Sequence, residues 1–137
     1  MRYLCIDLGD KRTGIATGDD LTGIATPIEA INTASAEERL RQLAIIIERE
    51  GPDELVVGLP LNMDGSEGPS AAKVRRFIDQ LAERTKLTVH AFDERQTSEM
   101  ADEQMANSGF THKQKKARRD ALAAAAILRG FLDSRSG

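Results

Sequence analysis

Tyr3-Leu4-Cys5-Ile6-Asp7-Leu8-Gly9-Asp10-Lys11-Arg12-Thr13-Gly14-Ile15-Ala16-Thr17 opens the chain and decides its fold. Tyr3 to Leu8 is an apolar run broken only by Asp7, and it reads as a buried strand. Gly9-Asp10-Lys11-Arg12 is a turn, and Thr13 to Thr17 reads as the returning strand of a hairpin. Gly18-Asp19-Asp20 and Gly23 mark the next turn. Ala25 to Ile31 reads as a third strand, with Pro27 pointing to an edge or an irregular entry. The chain therefore begins with a three-strand antiparallel meander.

Further along, helical spacing takes over. Ser35-Ala36-Glu37-Glu38 matches a capping box. Leu40, Leu43, Ala44 and Ile47 then recur on one helical face, and Gly51-Pro52 stops the helix. Glu54 to Leu59 is a short apolar run bounded by turn residues, so it reads as a central strand. Pro60 to Gly68 is a polar loop, and Pro69 suits the first turn of a second helix. That helix turns Val74, Phe77, Ile78 and Leu81 inward and keeps Lys73, Arg75 and Arg76 polar. Leu87 to Phe92 is the fifth strand. Thr97 or Ser98 caps a short helix ending near Gly109. Phe110 to Lys116 reads as a basic connection, and Ala117 to Leu132 as the last helix. A meander followed by helical crossovers predicts an α/β fold: a mixed five-stranded sheet with helices on both faces.

The bulk numbers agree with one such domain over residues 1–137. A chain of 137 residues can bury a real core. With no Trp, one Tyr and four Phe, that core has to be aliphatic and Ala-rich. Net charge is −3, which argues against a protein that coats nucleic acid broadly but allows a local basic patch. The single cysteine, Cys5, excludes an intrachain disulfide and reads as a small buried hydrophobe. Asp7, Asp10, Lys11 and Arg12 break any signal-peptide pattern, and no apolar run approaches a membrane span. A cytoplasmic, membrane-free protein is expected.

The chemistry lies in acids placed where burial is costly. Asp7 shares a strand face with Tyr3 and Cys5 by the two-residue repeat. Asp93-Glu94 end the fifth strand, and adjacent residues point to opposite faces, so only one of the two can share a site with Asp7. Asp120 recurs with Ala117, Ala124, Ile127 and Phe131 on the apolar stripe of the last helix. Near that helix's start, the dipole would favour a carboxylate by about 0.3–1 kcal/mol. Each acid also has a plain structural reading: a turn at Asp7, a charged turn held by Arg95 at Asp93-Glu94, and a salt bridge to Arg118 or Arg119 at Asp120. Asp64 either shapes a turn or lines a groove. Partly buried carboxylates repel one another and need a compensating cation. Three from distant parts of one chain point to a shared hard-metal site. His90 and His112 lack metal-ligand spacing, and no GxxxxGK[ST] or GxGxxG pattern is present.

The densest basic stretch lies just before Asp120: Lys113, Lys115, Lys116, Arg118 and Arg119. Cations at a helix start oppose the dipole, so they call for another reason, and phosphate contact supplies one. Lys11, Arg12 and Arg95 flank the other acids and widen the patch. Few aromatics are available for base stacking, so shape and phosphate readout are expected.

These segments resemble the YqgF-type family. The residues that carry the resemblance are Tyr3 to Gly9 with Arg12-Thr13-Gly14-Ile15-Ala16, Val56 to Pro60 with Asn62-Met63-Asp64-Gly65, Asp93-Glu94-Arg95 with Thr97-Ser98, and Arg119-Asp120-Ala121 with Ala124 and Ile127-Leu128. The resemblance implies a ribonuclease H-like fold and a metal-dependent nuclease. Its implied substrate is structured RNA such as pre-16S rRNA, or branched DNA in a Holliday junction. By position it implies Asp7, Glu94 and Asp120 as catalytic metal ligands, with Asp93 next in line. Related resolvases carry an acid at the end of the fourth strand, where this chain has Gly58-Leu59-Pro60, so Glu94 would stand in from the fifth. A non-catalytic assembly factor on the same fold is the second reading, and an actin-type ATPase, suggested by Asp7-Leu8-Gly9 and Gly14-Ile15-Ala16, the third. The protein is expected to act as a monomer or homodimer.

Overall fold

In a computed structural model, residues 1–96 and 112–136 are described, with side chains described for 1–95 and 114–135. Five strands form one sheet: β1 (Arg2–Asp7), β2 (Arg12–Asp19), β3 (Ala25–Asn32), β4 (Glu54–Leu59) and β5 (Val89–Asp93). Their order is β3-β2-β1-β4-β5. β2 pairs antiparallel with both β1 and β3, while β4 pairs parallel with both β1 and β5. This is the expected meander, extended by parallel strands returning through helices. Edge strand β3 carries a register irregularity opposite Ile15 and Ala16, where Pro27 cannot donate to the ladder.

The helices α1 (Ala36–Glu50) and α2 (Pro69–Thr85) cover one face, and α3 (His112–Ser136) covers the other. The two-residue repeat splits the sheet cleanly. Leu4, Ile6, Leu55 and Val57 join Leu43, Ile47, Phe77 and Leu81 in one core. Tyr3, Cys5 and Val56 join Ala124, Ile127, Leu128 and Phe131 in the other. Asp7 and Glu94 keep the parity of the second set, so both carboxylates arise on the α3 face.

Local signals work as written, with differences. Ser35 accepts a hydrogen bond from Glu38 N, and Gly51 closes α1 in the left-handed conformation at φ 61°. The capping box is half formed, because the Glu38 carboxylate binds Arg41 and Gln42 instead, and the Ser35 N–H is met by Thr33 Oγ1. Of the expected basic connection, residues 112–116 are helical and belong to α3. Lys, Gln and Arg are good helix formers, and that preference outweighs their opposition to the dipole. Asp120 thus lies more than two turns into α3, beyond the reach of the helix's positive end. The expected short helix between Thr97 or Ser98 and Gly109 falls outside the described residues.

Candidate active site

The site is assembled at the C-terminal ends of β1, β4 and β5. β1 delivers Asp7, and the 3-10 turn that follows β5 delivers Glu94. A cleft of about 240 Å³ is lined by Asp7, Gly9, Asp10, Gly58, Ser70, Lys73 and Glu94, among others. A second groove, of about 410 Å³, is lined by Asp7, Gly9, Asp10, Lys11, Arg12 and Asp120. Asp7 belongs to both, so it stands between Glu94 on one side and Asp120 on the other.

Two glycines make this convergence possible. Gly14 is the β2 partner of Asp7. A Cβ on Gly14 would lie 1.9 Å from the carbonyl oxygen of Asp120, so the α3 backbone rests directly on the sheet at that point. A Cβ on Gly58 would lie 3.1 Å from Glu94 Oε2 and 2.8 Å from Ile127 Cδ1. The Glu94 carboxylate thus occupies the space above β4 that a longer residue at position 58 would need. Gly9 serves the turn itself: a Cβ there would lie 2.2 Å from the carbonyl oxygen of Arg12.

The electrostatics reflect three acids in one neighbourhood. Burial first, and then repulsion from Glu94 and Asp120, push the Asp7 carboxyl up to about 6. Glu94 is also raised, chiefly by burial and then by the charge of Asp93. Arg12 Nε lies 2.9 Å from Asp120 Oδ2, yet that buried oxygen accepts no hydrogen bond. The two charges attract across this gap, but the N–H is not aimed at the oxygen, so Asp120 keeps an unsatisfied buried acceptor. A partner for Asp120 at Arg118 or Arg119 is replaced by Arg12 from β2.

Asp93 is separate from this group. Its carboxylate receives Arg95 Nε and Nη2, the latter at 2.7 Å, which holds its carboxyl below the ordinary range. Arg95 Nη1 also donates to the carbonyls of Asn62 and Met63, so it clamps the β4–α2 loop to the end of β5. Asp64 receives Ser66 N and Oγ and shapes its turn. Of the basic residues, Lys11 and Arg12 line the groove beside Asp7 and Asp120. Lys116, Arg118 and Arg119 are exposed along α3 and Lys115 is half-buried; the Lys113 side chain lies outside the described residues. His90 is bound to Glu54, with Nε2 2.7 Å from Oε1, and packs against Phe131. Cys5 is buried, which pushes its thiol well up, as a structural cysteine requires.

The sequence reading missed Lys73 and Ser70 on α2, which face the same cleft as Asp7 and Glu94. It also missed Arg39, which is buried on α1 and donates from Nη2 to the carbonyl oxygen of Asp10 at 2.8 Å. Arg39 sits on the core-facing side of an otherwise apolar stripe, and that misplaced charge is the signal that points to it.

The donors available to a metal are carboxylate oxygens, the set preferred by Mg²⁺ and Mn²⁺. No cation among the described residues offsets the burial and acidic neighbours that raise Asp7, and Asp120 Oδ2 accepts no hydrogen bond although Arg12 lies beside it, a setting that a bound cation would relieve. Among the described residues, no three His, Cys, Asp or Glu side chains yet converge tightly enough to enclose an ion.

Sheet order, helix placement and the acid-lined rim define a ribonuclease H-like fold. The Thermus thermophilus RuvC in complex with a Holliday junction substrate superimposes with a TM-score of 0.59, at 17% identity over 100% of this chain and 96% of that one. The fowlpox virus Holliday junction resolvase gives 0.58 at 15% identity, over 98% of this chain and 99% of that one. The chain belongs to the RuvX family, described as Holliday junction resolvase, whose model matches residues 1–134. Relatives named "Putative pre-16S rRNA nuclease" include one from Anaeromyxobacter sp. (strain Fw109-5), 42% identical over 98% of both chains. Another, from Streptomyces coelicolor, is 41% identical over 97% of this chain and 80% of its own length.

Proposed function

We propose that this protein is a metal-dependent nuclease that hydrolyses phosphodiester bonds in structured RNA, at the 5′ end of pre-16S rRNA during ribosome biogenesis. The observation that carries this reading is Asp7, raised to about 6 between Glu94 and Asp120 on the rim of the sheet. Relatives at about two-fifths identity carry the corresponding name over nearly the whole chain.

Asp7, Glu94 and Asp120 would hold Mg²⁺ or Mn²⁺. When bound, such an ion supplies Lewis-acid stabilisation of phosphoryl oxygens and acidifies water for in-line attack. The chain's own residues do the rest. Asp7, shared by cleft and groove, would hold the ion where the two meet, with Glu94 and Asp120 on either side. Arg12 and Lys11 carry positive charge into the groove, where they offset the phosphodiester's charge. Lys115, Lys116, Arg118 and Arg119 on α3 would contact the nucleic-acid backbone. The Arg95 clamp fixes the loop beside the site, a positioning role for Arg95 and Asp93. With ribosomal RNA as substrate, the protein works in the cytoplasm; no described helix is long and apolar enough to cross a membrane.

The family's description favours one further reading, junction DNA as substrate. Cleavage of a pre-16S-like RNA and of a four-way DNA junction, each with Mg²⁺, separates the two. Wild type is expected to cut the RNA and Asp7→Asn to cut neither. Equal, robust cleavage by both proteins would sink the assignment of the acids. Resolution of the junction needs two sites, so it requires a dimer, while a monomer that cuts RNA favours the ribosomal reading.

A further inference from the structure

The cleft beside Asp7 and Glu94 has a second wall, made by α2 and the β1–β2 turn. Three acids line that cleft, Asp7, Asp10 and Glu94, and among the described residues its one lining cation is Lys73. Lys73 Nζ is paired with Asp10 Oδ1 across a sequence separation of 63 residues. Both side chains are open to solvent, at 59% and 84% exposure, so water competes for the pair and it contributes little to stability.

The turn does not need this pair to stay in place. Buried Arg39 donates to the Asp10 carbonyl at 2.8 Å, and Thr33 N donates to the Lys11 carbonyl at 2.9 Å. Asp10 is therefore positioned through its backbone, and its carboxylate is left as an exchangeable partner. A phosphodiester entering a cleft lined by carboxylates needs countercharge on both sides of the reacting position. Arg12 and Lys11 supply it on the Asp120 side. Lysine is a compact ammonium that suits a phosphate oxygen as a point charge.

We infer that Lys73 is a phosphate-binding residue of the nuclease, which leaves Asp10 to take the backbone phosphate on the α2 side of Asp7. The inference rests on the nuclease reading above and adds a second, opposite wall to its substrate path. Asp10 then acts as a placeholder that keeps the ammonium pointed into the cleft until substrate arrives.

Binding of a fluorescent hairpin RNA, followed by anisotropy in EDTA across a salt series, isolates this contact from metal chemistry. Lys73→Ala is expected to weaken binding about 5–10-fold and to lower the slope of log K against log salt by about 0.7–0.9, the loss of one phosphate contact. Lys73→Arg keeps the slope and stays near wild-type affinity. Asp10→Asn, which removes the competitor, binds as tightly as wild type or more tightly. Unchanged affinity and slope in Lys73→Ala would overturn the inference. So would equal weakening of Lys73→Ala and Asp10→Asn at constant slope, because the pair would then be a structural latch. Cleavage by Asp7→Asn in Mg²⁺ reports separately on the acids, so failure of one reading leaves the other measurable.

Discussion

Replacing Asp7 by Asn should make the metal-free protein more stable while removing its activity. Unfolded, Asp7 titrates near 3.8; folded, it titrates near 6, because burial and the charges of Glu94 and Asp120 oppose ionisation. Between those values the folded chain keeps a proton that the unfolded chain has lost. Stability therefore falls as pH rises through this window, and the full penalty is present above about 6. Two pKa units correspond to about 3 kcal/mol. The asparagine side chain has the same shape and no charge to ionise, so the variant escapes the penalty. Urea unfolding in EDTA from pH 4 to 7.5 measures the difference directly. The variant's advantage should be near zero at pH 4 and grow to about 2–3 kcal/mol at pH 7.5, with no change in m. Added Mg²⁺ should then stabilise wild type alone, by about 2.7 kcal/mol at a hundredfold excess over its dissociation constant. A variant no more stable than wild type at pH 7.5 without metal would refute the claim that Asp7 is held against repulsion.

Gly14→Ala should move α3 off the sheet, since the new methyl would lie 1.9 Å from the Asp120 carbonyl and a backbone cannot yield as a side chain does. A loss of about 1–3 kcal/mol in chemical denaturation, with loss of cleavage as Asp120 shifts, is expected; full stability would show that the helix has room to adjust. Asp93→Asn should lower cleavage only by a few-fold, through a loosened Arg95 clamp, and change stability by less than about 1 kcal/mol. Glu94→Gln, by contrast, should lower the cleavage rate by about 100-fold or more. Rates in Mg²⁺ for the two variants side by side decide which of the adjacent acids serves the chemistry.

Strand periodicity and acid placement were legible in the sequence because both depend on near neighbours. Tyr3, Cys5 and Asp7 share a face through a two-residue repeat, and the adjacent acids Asp93 and Glu94 part to opposite sides for the same reason. The start of α3 was not legible. A run of lysines and arginines looks like a solvated link when judged by charge, whereas its intrinsic helix preference prevails. The same error put Asp120 near a helix end and credited it with a dipole interaction too distant to act. The Lys73–Asp10 pair was invisible for a different reason. Nothing local marks Lys73 among the polar residues of α2, and its partner lies 63 positions away. Arg39 gave a signal that periodicity treats as noise: a charge in an apolar row, explained only when the turn it holds is seen.

The glycines explain how Asp120 and Glu94 reach the neighbourhood of Asp7. The register that pairs Ile6 with Val57 brings Gly58 beside Asp7 on one side, and Gly14 pairs with Asp7 on the other. Across three neighbouring strands, then, the α3 face carries Gly14, Asp7 and Gly58 in a row, with one side chain where three are normal. The empty place above Gly14 admits the backbone of α3 at Asp120, and the one above Gly58 admits the Glu94 carboxylate. A Cβ at 58 would come within 3.1 Å of Glu94 Oε2 and 2.8 Å of Ile127 Cδ1, so both side-chain ends would have to shift to admit it. A side chain at position 58 would therefore compete with the Glu94 carboxylate for its present place. The glycine at 58 thus leaves the room above β4 that Glu94, arriving from the end of β5, fills on the α3 face.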